Sequence, residues 1–238
     1  MLARRQLLKL TAAILATPAS SLLAQTQLPL IQRKIPSSGE LLTAIGLGTS
    51  RTFDTSNDAD SLARLTEIIK IFFHHQGRVI DSSPMYGEAE ARVGDVLRTL
   101  GNHPKVFAAT KVWTRGREQG IAQMQASAQR MNIEVFDLIA VHNLVDWRTQ
   151  LDTLKQWKAE GKVRYIGITT SSGRDHEELM EIMRKEPLDF VQFSYNIDNL
   201  TAEKQLLPLA QDKGIALSLI HISEPTRPTR ASRMPSSA

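Results

Sequence analysis

Four side chains able to hold or move a proton fall at the ends of short apolar runs. Asp81 opens Asp81-Ser-Ser-Pro-Met-Tyr86-Gly87, directly after Arg78-Val79-Ile80, and Tyr86 lies on the loop behind it. Lys111 closes Ala109-Thr110-Lys111, and His142 closes Ala140-Val141-His142. Taken singly, each has a structural reading. Asp81 before Ser-Ser-Pro suits a turn, Tyr86 suits a rim aromatic with a wet hydroxyl, Lys111 can snorkel, and His142 can be a core histidine. Taken together, an acid, a phenol, an ammonium and an imidazole suit carbonyl reduction. A hydride reaching a carbonyl carbon leaves negative charge on oxygen, and a proton donor must meet it. A phenol, with an ordinary pKa of about 10, is a weak donor. A neighbouring ammonium favours the ionised phenol and improves it as a donor. Lys111 fits that part, Asp81 fits as its counter-ion, and His142 fits as the group that orients the substrate oxygen. The ligand spacings of a metal site are absent.

Regular alternation of strands and helices is needed to place these groups on one rim. Candidate strands are 44–47, 78–80, 106–110, 138–141, 163–168, 190–193 and 215–219, and candidate helices are 59–75, 88–100, 118–131, 148–160, 174–185 and 202–213. Gly101, Gly161 and Gly214 stand where helix carboxyl ends favour glycine, and Asp146 or Asp152 and Thr201 are candidate helix starts. Ahead of this series, 31–35 and 40–43 flank a Pro/Ser/Gly turn and read as a hairpin. Such alternation implies a parallel sheet, either a (β/α)8 TIM barrel or a doubly wound sheet. Gly46-Leu47-Gly48-Thr49 lacks the third glycine and the helix start of a dinucleotide-binding turn. Polar groups at the end of strand after strand favour the α/β barrel.

The 238 residues suit one large domain, and 42% apolar content is ordinary for a globular core. The charge of +4 is modest, and no basic stripe interleaved with aromatics points to nucleic acid. Without cysteine the chain has no disulfides or thiolate chemistry. Arg4-Arg5, the apolar run 10–15 and small residues up to Ala24 describe an export signal over 1–27, similar to twin-arginine signals, and imply a periplasmic or exported protein that uses the export machinery. The apolar run is too short for a membrane span, which takes about 20 residues. The other reading of this start is an amphipathic segment of a cytoplasmic protein. After Ile220 the pattern stops. Residues 222–238 are proline-rich and aperiodic, read as a disordered tail, and resemble translated sequencing-adapter DNA. Residues 28–221 then hold a barrel cut off after about strand seven.

Gly46-Leu-Gly48-Thr49, Asp81-Ser-Ser-Pro-Met-Tyr86-Gly87, Thr110-Lys111 and Val141-His142-Asn143 resemble the aldo/keto reductases, and the resemblance covers about 31–220. It implies an NADP(H)-dependent oxidoreductase that reduces aldehydes or ketones, with Tyr86 as general acid beside Asp81, Lys111 and His142. It also implies that Gly48 and Thr49 lie near the nicotinamide and that Gln192 binds its carboxamide. Thr169-Thr170 stands where the family carries Ser-Asn. Asn143 and Trp113 are the candidates to face the substrate. The segment that binds the 2′-phosphate in the family has no counterpart here, so NADP(H) over NADH rests on the resemblance alone. The same barrel also hosts noncatalytic, nucleotide-sensing or scaffold relatives, and export lends that alternative weight, because NADP(H) is not regenerated outside the cytoplasm.

Overall fold

The structure is a computed structural model that describes residues 30–101, 106–171, 175–197 and 199–220. The expected signal segment, the tail 222–238 and His221 lie outside the described residues. β1 (Gln32–Lys34) and β2 (Leu41–Thr43) form the antiparallel hairpin. Then follow β3 (Leu47–Gly48), α1 (Ala59–His74), β4 (Val79–Asp81), α2 (Ala89–Thr99), β5 (Phe107–Val112), α3 (Arg117–Met131), β6 (Phe136–His142) and α4 (Trp147–Ala159). The series continues through β7 (Val163–Thr169), α5 (His176–Lys185), β8 (Phe190–Ser194), a 3-10 turn (Thr201–Lys204), α6 (Leu206–Asp212) and β9 (Ala216–Ile220). Strands β3 to β9 form one seven-stranded parallel sheet in sequence order.

The sheet is curled. Neighbouring strands lie about 4.8 Å apart, so β4 and β8 would be separated by roughly 19 Å if the sheet were flat. Instead Gln192 Nε2 on β8 donates to Asp81 Oδ2 on β4 at 3.1 Å. Phe107 on β5 and Phe190 on β8 stand 6.0 Å apart between ring centroids. Both contacts cross the inside of an arc, as a (β/α) barrel requires.

Strand alternation divides the apolar residues between two faces. Outward residues, among them Ile80, Ala108, Ile139, Val141, Ile166, Ile168, Val191 and Phe193, join the helix side chains in one core. Inward residues Phe107, Ala109, Leu138, Tyr165 and Phe190 form a second cluster with Ile35 and Leu42 of the hairpin. The hairpin thus plugs one end of the arc. Glu40 holds it there, pairing with Arg78 at 3.2 Å, with Arg164, and with the Tyr165 hydroxyl at 2.9 Å. On α1 the buried Ser61, Leu65 and Ile69 recur every four residues, and Asp58 caps the helix by accepting from Ser61 N at 2.9 Å.

Three expectations need correction. The first sheet strand is only Leu47–Gly48, because Ala44 N still bonds Ile31 O at 2.9 Å and belongs to the hairpin. Asp152 lies inside α4, and Asp146 precedes it. The stretch 202–213 is not one helix: it breaks at Gln205 (φ −140°) into the 3-10 turn and α6. Pro208 has no N–H to give the carbonyl of Lys204, so a continuous helix would lose that bond. Thr201 opens the 3-10 turn rather than an α-helix.

Among the described residues β3 and β9 each pair on one side only. Such edges template association, and Leu217 on β9 is 38% exposed. We expect the apparent molar mass of the purified chain from light scattering to rise with concentration and Leu217→Lys to slow that rise. Unchanged scattering in the variant would place the sticky surface elsewhere.

Candidate active site

Register, more than any single motif, assembles the site. Asp81 pairs with Ala109. Two residues further along β5, on the same face, Lys111 pairs with Ala140. Two residues further along β6, His142 pairs with Thr169, which pairs with Gln192, which pairs with Ser218. Because side chains alternate with a period of two, Asp81, Lys111, His142, Thr169, Gln192 and Ser218 all point to the inside of the curl. They lie at its carboxyl end, where barrel enzymes keep their sites.

Lys111 is 1% exposed. Its Nζ donates to Asp81 Oδ1 at 2.8 Å, to Asp81 Oδ2 at 2.9 Å and to Ser82 O at 2.8 Å. An ammonium has three donors, and all three are committed. Lys111 Nζ also lies 5.3 Å from the centroid of the Tyr86 ring. It has no proton left for the phenol, and what it presents to the Tyr86 ring is its positive charge.

Tyr86 is half-buried, and its ring meets His142 edge-on at 6.1 Å. Two devices hold its turn. Tyr86 N donates to Ser83 O at 3.0 Å, and Asp54 Oδ1 accepts from Glu88 N at 3.0 Å. Gly87 adopts φ +57°, and a Cβ there would fall 2.2 Å from Asp54 Oδ1. Only glycine fits that close, left-handed position.

His142 is 3% exposed, and its Nδ1 lies 3.1 Å from Ser83 Oγ. Burial, assisted by the positive charge of Lys111 and opposed by Asp81, lowers its pKa to about 4. The ring is neutral at physiological pH. Trp113 stands 6.4 Å from it and is exposed at the mouth. The loop after His142 is cramped: Asn143 (φ 51°), Leu144 (φ 54°) and Asp146 (φ 48°) are left-handed, a conformation that costs non-glycine residues about 1–3 kcal/mol each. It is braced on both sides. Asn143 Oδ1 accepts from Ser171 N at 3.0 Å and Ser171 Oγ at 2.8 Å, and Asp146 Oδ2 accepts from Gly116 N at 2.7 Å. Asn143 thus ties two loops together, and its oxygen is engaged within the protein.

The residues expected around a cofactor gather beside Asp81. Thr49 N and Oγ1 both donate to Asp81 O at 3.1 Å, and with its single proton so used Thr49 Oγ1 accepts from Ser82 Oγ at 2.9 Å. Gly48 pairs with Asp81, and a Cβ built on it would meet nothing within 4 Å, so the face opens there. Gln192 Nε2 spends its protons on Asp81 Oδ2 and Ser218 Oγ, and its Oε1 accepts from Thr169 Oγ1 at 3.2 Å. One lone pair of that oxygen is left. Thr170 is 2% exposed, and its Oγ1 has no partner among the described residues. Thr170 is tied to β8 through its backbone, its N donating to Gln192 O at 2.9 Å. The free lone pair of the Gln192 amide oxygen, at the open face beside Gly48, suits a flat carboxamide, so the donor set fits a nicotinamide. Ser83 and Ser218 escaped the sequence reading: Ser83 looked like a turn residue, and nothing local marks Ser218.

The model of the aldo/keto reductase family matches residues 44–221, most of the chain. The chain belongs to the aldo/keto reductase family. Among curated proteins it is 29% identical over 190 residues to methylglyoxal reductase YeaE of Escherichia coli, covering 76% of this chain and 65% of that one. Among solved structures it is similar to the thermostable aldo-keto reductase Tm1743 (TM-score 0.72, 22% identity, covering 84% of this chain and 76% of that one). It is also similar to an aldo-keto reductase from Klebsiella pneumoniae in complex with NADPH (TM-score 0.67, 22% identity, covering 79% and 67%). The chain spans between half and two-thirds of the length of the curated relatives that it matches first, 65%, 60% and 51%.

A histidine whose pKa is lower folded than unfolded resists folding once protonated. Its contribution is intact above the unfolded value near 6.5 and is lost as pH falls toward 4. That interval corresponds to on the order of 3 kcal/mol. We expect the melting temperature of the parent to fall more steeply between pH 6.5 and 4 than that of His142→Gln. Parallel pH profiles would show that His142 is not held neutral by burial.

Proposed function

We propose that the chain carries the catalytic half of an oxidoreductase that reduces small aldehydes or ketones with NADP(H), and that Tyr86 is the general acid. The observation that carries this reading is the buried Lys111 ammonium, fixed by Asp81 and Ser82, with the Tyr86 ring 5.3 Å from its nitrogen and the neutral His142 ring 6.1 Å from that of Tyr86. A bound nicotinamide supplies the hydride. As charge develops on the carbonyl oxygen, the Tyr86 hydroxyl gives up its proton to it. The Lys111 field stabilises the negative charge left on the phenol oxygen, at a buried site where such fields are strong. Asp81 pairs with Lys111 and holds it in place, and His142 holds the carbonyl oxygen toward Tyr86.

Gly48, Thr49, Thr169, Thr170 and Gln192 form the cofactor side in this reading, and Trp113 walls the substrate. Asn143 contributes by bracing the loop that carries His142. The likeness to a methylglyoxal reductase and to an NADPH-bound structure supports a small carbonyl substrate and NADP(H). Tyr86→Phe, in the chain extended to the length of its relatives, is expected to lower kcat on an aldehyde at least about 100-fold, the scale of general-acid catalysis, while cofactor binding followed by fluorescence is unchanged. Turnover at the parental rate would remove Tyr86 from the reaction.

We also infer from Arg4-Arg5 and the apolar run behind them that the protein leaves the cytoplasm folded. Replacing both arginines by lysine is expected to shift the protein from the periplasmic to the cytoplasmic fraction. An unchanged distribution would rule out a twin-arginine address.

A further inference from the structure

We propose that Ser83 is a positioning residue: its buried hydroxyl donates to Nδ1 of His142 and thereby fixes the ring proton on Nε2. Ser83 lies two residues beyond Asp81, past the end of β4, and its contact with His142 places its hydroxyl on the inside of the curl. It is 0% exposed, and its Oγ has two hydrogen-bonding neighbours among the described residues, His142 Nδ1 at 3.1 Å and Met85 N at 3.5 Å. Met85 N is a donor. Nδ1 is therefore the only one of the two that can accept the hydroxyl proton.

The opposite tautomer fits badly. With a proton on Nδ1, Ser83 Oγ would face two donors while its own proton pointed at no acceptor, and buried polar groups are rarely left that way. With the proton on Nε2, the hydroxyl accepts weakly from Met85 N and donates to Nδ1. Nε2, which makes no hydrogen bond among the described residues, is then the donor available to a ligand. The titratable groups around the ring are Lys111, Asp81 and Tyr86. Burial with Lys111 keeps the ring uncharged at neutral pH, so the choice between tautomers is a real one. The same serine accepts Tyr86 N through its carbonyl at 3.0 Å. One residue therefore sets the proton on the imidazole and the start of the turn that presents the phenol.

The catalytic consequence rests on the function proposed above, whereas the tautomer does not. Long-range proton–nitrogen NMR of the full chain with labelled histidine reads the tautomer directly. The chain has six histidines, and His142→Gln identifies the signal. The expected result at pH 7 is a protonated Nε2 and a bare Nδ1 in the parent, and a mixture of both tautomers in Ser83→Ala. A protonated Nδ1 in the parent would overturn the proposal, whether or not the variant folds, and so would an unchanged ring signal in Ser83→Ala. In the chain extended to the length of its relatives, Ser83→Ala is expected to lower kcat by at least about tenfold with KM for the cofactor unchanged. Ser83→Thr, which keeps the hydroxyl, should recover part of that loss. A parental kcat in Ser83→Ala would end the positioning role. Absence of turnover in the parent, with Nε2 protonated, would instead count against the carbonyl-reductase reading and leave the tautomer assignment standing.

Discussion

A lysine ammonium with almost no access to water is the constraint around which this molecule is built. Burying a charge is tolerable only when it is paired and fully hydrogen-bonded. Lys111 meets that condition with both oxygens of Asp81 and the carbonyl of Ser82. Asp81 in turn is steadied by Gln192, and Gln192 by Thr169 and Ser218. The chain of bonds runs from β4 to β5, across the curl to β8, and on to β7 and β9. Removing one partner from such a buried pair typically costs about 3–5 kcal/mol. The polar network therefore ties the sheet together where a hydrophobic core would ordinarily do so.

The two ends of the curl do different work. At one end Phe107, Leu138, Tyr165 and Phe190 close over Ile35 and Leu42 of the hairpin, and the Glu40 ion pairs lock it in place. At the other end the same inward-facing positions become polar. Between them Ala109 and Ala140, small residues directly below Lys111 and His142, leave room for the longer side chains above. Outside the sheet, buried Glu90 on α2 accepts from Thr110 of β5 at 2.6 Å and from Ser127 and Arg130 of α3. That carboxylate clamps two helices to the strand that carries Lys111. The rigidity of the site is thus supplied from the helix side as well as from within.

Much of this was legible in the chain because it is local. Strand ends, the hairpin turn, the glycines after helices and the spacing of apolar positions are all written within a few residues. The chemistry-bearing side chains were visible for the same reason: Asp81, Lys111 and His142 each terminate an apolar run. What could not be read depends on partners far away in sequence. Ser83 resembles any serine before a proline until His142, 59 residues later, is brought against it. Gln192 meets Asp81 across 111 residues. Asn143 looked free to face a ligand, and only the fold shows it bonded to Ser171. The break at Gln205 was legible in principle from Pro208 and was masked by the strong apolar periodicity around it.

The stepwise register of the strands carries a lesson about how such a chain can change length. From Asp81 to Lys111 to His142 each group sits two positions above its neighbour's row, His142, Thr169, Gln192 and Ser218 then share one row, and faces alternate with every residue. A single residue gained inside β5 or β6 would turn Lys111 or His142 from the interior toward the helices, while two gained would merely raise it. The same addition in a helix–strand connection would leave every face unchanged. A change of length is therefore tolerable in the connecting segments and disruptive inside the inner strands, whose lengths act as a frozen ruler.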